Sequence, residues 1–408
     1  MNAMQASHDA ELERRHTAAH AIVEAEFTSH ALAAKYASTL TGTAIGLHGS
    51  HTAAEIRSVA SRASRLLPYY DALWGDPNKA FSFTWNGFER LQKALAAGSG
   101  AIVVTAHFGP YRWLAPQLLA QGMPLTLLVD EAFKRVLDDD VANRVQKVYA
   151  QFGTDRFTTV NSGSPQALWQ MARALKQGRV VVTFADGNSG IEGKAAENGC
   201  LLLPFLGQTI RARPGIAALS QVSGAPLIPV LACQDGSAGV FEVYEAIAQA
   251  QDEERLAFRR RATEALFTWL ETAIVRSPET WEEWWLLPAW LAGKMTVSTK
   301  RTARPDFRLT LPGLARRRLA LADNSVFSID DGQERQVLDL ARGDKESGSE
   351  LYSLVSSSEH GEWARQWLDQ QVNPIAARAL LEREVRTGRI MLVHDRARLP
   401  IPDDDDRN

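Results

Sequence analysis

Four short apolar runs constrain this chain more than anything else in it: AIVVTA at 101–106, PLTLLV at 124–129, RVVVTFA at 179–185 and APLIPVLA at 225–232. Each ends in polar or glycine-containing residues, and stretches of helical periodicity separate one from the next. Strands this uniformly apolar bury both faces, which requires helices on either side of a sheet. The pattern therefore predicts an α/β fold with a central, mostly parallel or mixed sheet. Ligands of such sheets bind beyond the carboxyl ends of the strands.

Helices are expected over 83–98, 111–122, 164–178, 211–224 and 252–277, and a further strand over 241–248. Residues 1–75, rich in Ala, Glu and Leu at three- and four-residue spacing, read as a helical N-terminal region ahead of the 76–292 core. The basic, aperiodic stretch 293–308 reads as a linker. Beyond it, 309–400 reads as a small α+β domain: a strand pair within 307–330, helices over 332–343 and 373–388, and a closing strand at 390–395. This weakly resembles winged-helix modules that hold a leader peptide or carrier beside a modifying enzyme. The residues after 400 form an acidic tail.

A formal charge of −3, from 45 basic and 48 acidic residues, supplies no global field for nucleic acid, so no nucleic-acid partner is expected. No apolar run approaches the roughly 20 residues that span a bilayer, and the charged N-terminus lacks a signal-peptide pattern. A cytoplasmic location is therefore the expectation, compatible with peripheral contact at the inner membrane. Two cysteines, Cys200 and Cys233, in apolar surroundings fit buried thiols in a reducing compartment rather than a disulfide scaffold.

Histidine placement narrows the chemistry. Six of the nine lie in the first 51 residues, two near the C-terminus, and His107 alone between 52 and 359, directly after a strand. An imidazole there is suited to take a proton near neutral pH, and Gly109 would let the loop turn tightly or a ligand approach. His16, His20 and Glu24 share a helical face, but without the glutamate of the zincin pattern a solvated face is favoured and no metal is expected. Gly187, Gly190 and Gly193 do not open a helix, which argues against a dinucleotide. For Lys194, a loop over the site is the less favoured reading. Trp281, Trp284, Trp285 and Trp290 are expected to pack the core or cover the sheet edge, with an acyl-chain wall as the alternative.

The blocks HFGPYRW, FADGNSG, LLLPFLGQTIRARPG and SPETWEEWW, in that order and spacing over roughly 80–290, resemble the lipid A biosynthesis (lauroyl/myristoyl) acyltransferase branch of the lysophospholipid acyltransferase superfamily. The resemblance implies an acyltransferase that moves an acyl group from a carrier-protein or coenzyme A thioester to a hydroxyl or amine of a lipid or biosynthetic intermediate. It implies no metal and no cofactor beyond the phosphopantetheine of the donor. An acyl or peptidyl carrier protein is the implied partner, and His107 the implied general base.

The family's first block reads His-Phe-Gly-Asn-Trp-Glu, and Arg112 stands here where its carboxylate would be. A guanidinium has no acceptor for the second imidazole N–H. Another acid can take that place, Asp186 first and Asp130 or Glu131 second. Alternatively Arg112 turns away and binds an acidic group of donor or acceptor, or the ancestral chemistry is altered. Gly109, Tyr111, Asp130, Phe205, Arg211 and Arg213 are the substrate-binding candidates, the two arginines because they precede a helix start, with surface solvation as their equal alternative. Hydrolysis or cyclisation of a carrier-bound thioester and a non-catalytic scaffold are the competing functions. The missing N-terminal anchor of the lipid A branch leaves the acceptor open.

Overall fold

The computed structural model describes residues 3–26, 30–74, 81–129, 149, 152–153, 155–187, 199–292, 317–321, 326–330, 335–339, 344–347, 374–386 and 390–394. The chain divides into two compact units, Met1–Leu32 with Ser58–Gly293, and Ala33–Arg57 with Lys294–Asn408. The second thus takes in part of the N-terminal helical region together with the residues after 293.

Three N-terminal helices, α1 (Ala3–Glu26), α2 (His30–Leu47) and α3 (Ala53–Leu73), agree with the helical reading of that region. The first unit is built on strands β1 (Ser82–Asn86), β2 (Ala101–Thr105), β3 (Leu125–Val129), β4 (Phe157–Asn161), β5 (Val180–Phe184), β8 (Leu227–Asp235) and β9 (Ala238–Val243). Among the described residues they form a seven-stranded sheet in the order β1-β9-β8-β2-β5-β3-β4. All pairings are parallel except β8 with β9. A separate antiparallel hairpin joins β6 (Leu201–Phe205) and β7 (Gln208–Ala212).

Alternate residues of the central strands feed two different cores, as the pleat requires. Ala101 and Val103 join Val180, Val182, Ile228 and Val230 on the face packed with Tyr70, Trp113 and Leu118. Ile102, Val104 and Val181 face the opposite layer of Met171, Ala217, Phe258 and Leu266. Helices α4 (Phe88–Ala96) and α5 (Leu114–Ala120) contribute to the first layer, and α6 (Ala167–Lys176), α7 (Gly215–Ser223) and α8 (Arg255–Arg276) to the second. Both faces of the sheet are covered, as the apolar runs demanded.

The sequence pattern missed strands β4, β6 and β7, began the 211–224 helix four residues early because 211–212 belong to β7, and misread two further segments. The expected helix from residue 83 begins only at Phe88, because 82–86 is a strand paired in parallel with β9. Gly87, at φ 77°, separates the two, and a Cβ there would lie 2.7 Å from the Val243 carbonyl oxygen. In the second unit the expected helix 332–343 is instead strand β12 (Arg335–Asp339), the centre of an antiparallel trio with β11 (Val326–Asp330) and β13 (Asp344–Ser347). The Asp-Gly at 331–332 is the hairpin signal that the helical reading overlooked. Helix α9 (Pro374–Arg386) and strand β14 (Ile390–His394), paired with β10 (Arg317–Leu321), fall where expected. The described part of this unit is thus richer in strand than the winged-helix pattern. No described helix is long and apolar enough to cross a membrane.

Candidate active site

Strand register explains the centre of the site. β2 and β5 pair from Ala101↔Val180 to Thr105↔Phe184, and both chains then run two residues beyond the ladder. The Ala185 N–H still donates to the Thr105 carbonyl at 2.8 Å, so His107 and Asp186 arrive at equivalent positions past the carboxyl ends. His107 Nδ1 lies 2.9 Å from Asp186 Oδ1, and the His107 backbone N–H donates to Asp186 Oδ2 at 2.8 Å. A carboxylate only accepts, so Nδ1 carries the hydrogen and Nε2 is left as the basic nitrogen. Nε2 has no hydrogen-bond partner among the described residues.

A second segment clamps this loop. Three short helical turns come after α8, at Pro278–Thr280, Glu283–Leu286 and Leu287–Trp290. The first end of this stretch pairs with 107–109 like a short antiparallel strand. Gly109 N–H donates to the Thr280 carbonyl at 3.1 Å, Glu282 N–H to the His107 carbonyl at 2.9 Å, and Phe108 bridges to Trp281. The Trp281 indole N–H donates to Asp186 Oδ2 at 2.9 Å. Gly109 is required by this arrangement: its φ is 58°, and a Cβ would lie 2.2 Å from the Ala232 carbonyl oxygen.

Around the imidazole, Phe184 stacks on one face at 4.5 Å between centroids and Tyr111 presents a ring edge at 4.9 Å. Asp186 is fully buried, while a quarter of the His107 side chain is exposed. Burial by itself pushes the imidazole down, but Asp186, Glu283 and Glu282 outweigh it and lift His107 to about 9. Glu283 Oε1 lies 3.8 Å from Nδ1.

Arg112 takes a different course. Its guanidinium pairs with Asp71 of α3 and donates to the Tyr111 hydroxyl at 3.4 Å. That hydroxyl in turn donates to Glu282 Oε2 at 3.4 Å. Burial works against the cation, yet Tyr111, Glu282 and Asp71 hold Arg112 above its ordinary value, so it is permanently charged. Arg112 therefore braces Tyr111 and α3, and the carboxylate contact to Nδ1 comes from Asp186.

Other candidates lie elsewhere. Phe205 is fully buried against Phe267, Trp281 and Trp290, so the substrate contact expected of it is corrected to a packing role beneath Trp281. Arg211 donates to the carbonyls of Leu291 and Ala292, tying β7 to the end of the tryptophan segment. Arg213 is exposed just ahead of α7. Asp130, Glu131, Lys194, Gly190 and Gly193 lie outside the described residues. His16 is buried rather than solvated, its Nδ1 on the Tyr69 hydroxyl and its ring against Phe81, and His20 stacks on Tyr69. No group of three metal-ligating side chains occurs among the described residues. Trp281, Trp284 and Trp290 are buried and Trp285 is half-exposed. Glu282 and Glu283 were not singled out from the sequence, and Trp281 was read there as packing or an acyl-chain wall, not as a donor to the carboxylate. The doubled glutamate after a Pro-Glu-Thr-Trp block was the available signal.

A sheet covered on both faces thus carries a histidine–carboxylate pair at the carboxyl ends of two neighbouring strands. The family model for bacterial lipid A biosynthesis acyltransferases matches residues 70–292, more than half of the chain. The chain belongs to that family, and its general activity is acyl transfer. No curated protein matches it. Among solved structures, the 1-acyl-sn-glycerophosphate (LPA) acyltransferase PlsC from Thermotoga maritima is similar at 12% identity and a TM-score of 0.29, over 60% of this chain and 96% of that one.

Proposed function

We propose that the chain transfers an acyl group from a carrier-protein or coenzyme A thioester to a hydroxyl or amine, with His107 as general base and Asp186 as its partner carboxylate. The observation that carries this reading is the 2.9 Å contact between His107 Nδ1 and Asp186 Oδ1 at the carboxyl ends of β2 and β5. Nε2 withdraws the acceptor proton as the acceptor oxygen or nitrogen attacks the thioester carbonyl. The tetrahedral intermediate then collapses with cleavage of the carbon–sulfur bond, and the thiolate leaves with the proton from the imidazolium. The ion pair with Asp186 stabilises the imidazolium in between. No covalent acyl-enzyme is required.

General-base assistance of this kind contributes about 10² to 10⁴ in rate. The test is thiol release and product mass from an acyl thioester offered with hydroxyl and amine acceptors. His107→Ala should lose transfer by that factor while remaining folded, and Asp186→Asn should show a comparable defect. Undiminished transfer by His107→Ala overturns the proposal, and release of free acid alone assigns the site to hydrolysis.

A further inference from the structure

Two hydrogen bonds converge on one oxygen of the buried carboxylate. Asp186 Oδ2 accepts the His107 backbone N–H at 2.8 Å and the Trp281 indole N–H at 2.9 Å, and Oδ1 faces the imidazole at 2.9 Å. Asp186 and Trp281 are both fully buried, so water does not compete for these contacts. A carboxylate can rotate about its terminal torsion, which is broad and roughly two-fold. One backbone donor to Oδ2 leaves that rotation open. A second donor from a rigid ring on a different segment closes it.

The ring itself is fully buried and closely packed. Trp281 packs on Trp284 at 4.9 Å, Trp290 at 5.8 Å and Phe205 at 6.1 Å, and its backbone bridges to Phe108 of the histidine loop. The indole therefore transmits the position of the tryptophan segment to the carboxylate, and the carboxylate transmits it to the imidazole.

We propose that Trp281 is a positioning residue for the His107–Asp186 pair, holding Oδ2 through its indole N–H so that Oδ1 stays on Nδ1. The consequence for turnover rests on the acyl-transfer reading above; the geometric claim does not.

Trp281→Phe keeps an aromatic ring in the cluster and removes the N–H. Trp290→Phe is the matched control, since the Trp290 indole N–H has no partner among the described residues. The measurement is the titration midpoint of the His107 ring protons by NMR, which needs no substrate, alongside kcat and KM. Trp281→Phe should lower the midpoint toward that of an unpaired imidazole and reduce kcat about tenfold to a hundredfold with little change in KM, the loss of one hydrogen bond to a charged group. Trp290→Phe should leave the midpoint in place. An unchanged midpoint in folded Trp281→Phe overturns the inference. A lowered midpoint in a protein that shows no acyl transfer upholds it and sinks the functional reading instead. Should Trp281→Phe not fold, the unmodified protein still decides: the Trp281 indole resonance must track the His107 titration, and indifference to it overturns the assignment.

Discussion

Glu283 Oε1 stands 3.8 Å from His107 Nδ1, the same nitrogen that Asp186 holds at 2.9 Å. The imidazole thus answers to two carboxylates, with Glu282 adding a third, and together they raise His107 to about 9, so the protonated ring predominates at neutral pH. The general-base role proposed for His107 needs the neutral form, so on that proposal kcat/KM should climb with pH and level off above about 9. Glu283→Gln removes one nearby negative charge and should move that limb down by about one pH unit. A pH–rate profile of the two proteins checks this; coincident limbs would show that Glu283 does not act on His107.

The same proton links the site to stability in the opposite direction. His107 is raised from 6.5 to about 9 in the folded chain, so its contribution is fully present below pH 6.5 and is lost as pH rises through 9. The amount is on the order of 3 kcal/mol. Urea midpoints should therefore fall between pH 6.5 and about 9 while activity rises, and His107→Gln should flatten that part of the stability curve.

Arg112 and Asp71 yield a charge-reversal prediction. Writing the family carboxylate back as Arg112→Glu does not rebuild the family pair, because Nδ1 is already held by Asp186 and position 112 faces Asp71. The variant places a carboxylate among Asp71 and Glu282 and releases Tyr111. It should lose stability by about 1–3 kcal/mol, toward the low end because Asp71 is 44% exposed. Adding Asp71→Lys should recover part of the loss, measured as a coupling in a double-mutant cycle.

Gly109 is the tightest point of the histidine loop. Gly109→Ala forces a Cβ to within 2.2 Å of the Ala232 carbonyl oxygen in a left-handed conformation that already costs about 1–2 kcal/mol for other residues. Neither backbone can give way without shifting β8 or the loop. Thermal unfolding should show a loss of at least that size, and the remaining folded protein should lose transfer because His107 is two residues away.

How far the site was legible depended on register. The apolar runs at 101–106 and 179–185 specify two central strands, and His107 and Asp186 come directly after each run, which is a sequence-level fact. That β2 and β5 are neighbours is not, since β5 enters the sheet between β2 and β3 although it comes after both in the chain. The pairing of 107–109 with 280–282 was hidden for the same reason: contacts between segments so distant in sequence carry no local periodicity. Local pattern also failed at 82–86 and 335–339, where tertiary pairing outweighs a helical reading of mixed polar and apolar residues.

Phe205, a substrate-binding candidate in the sequence, is packed as core. The Pro-Phe pair at 204–205 lies in β6, with its phenyl ring edge-on to Phe267 at 5.5 Å and to Trp281 at 6.1 Å. A ring with no exposed surface among three aromatic neighbours contributes packing, so Phe205→Ala should cost about 3–5 kcal/mol through lost burial and the cavity left behind. It also loosens the floor under Trp281, and through it the carboxylate. Phe205→Leu, which retains most of the volume, should cost less and leave KM for the acyl donor unchanged, whereas a substrate-lining role would raise KM in both variants. Denaturation curves and steady-state kinetics on the pair separate the two roles, since a packing residue moves the unfolding midpoint first and a binding residue moves KM.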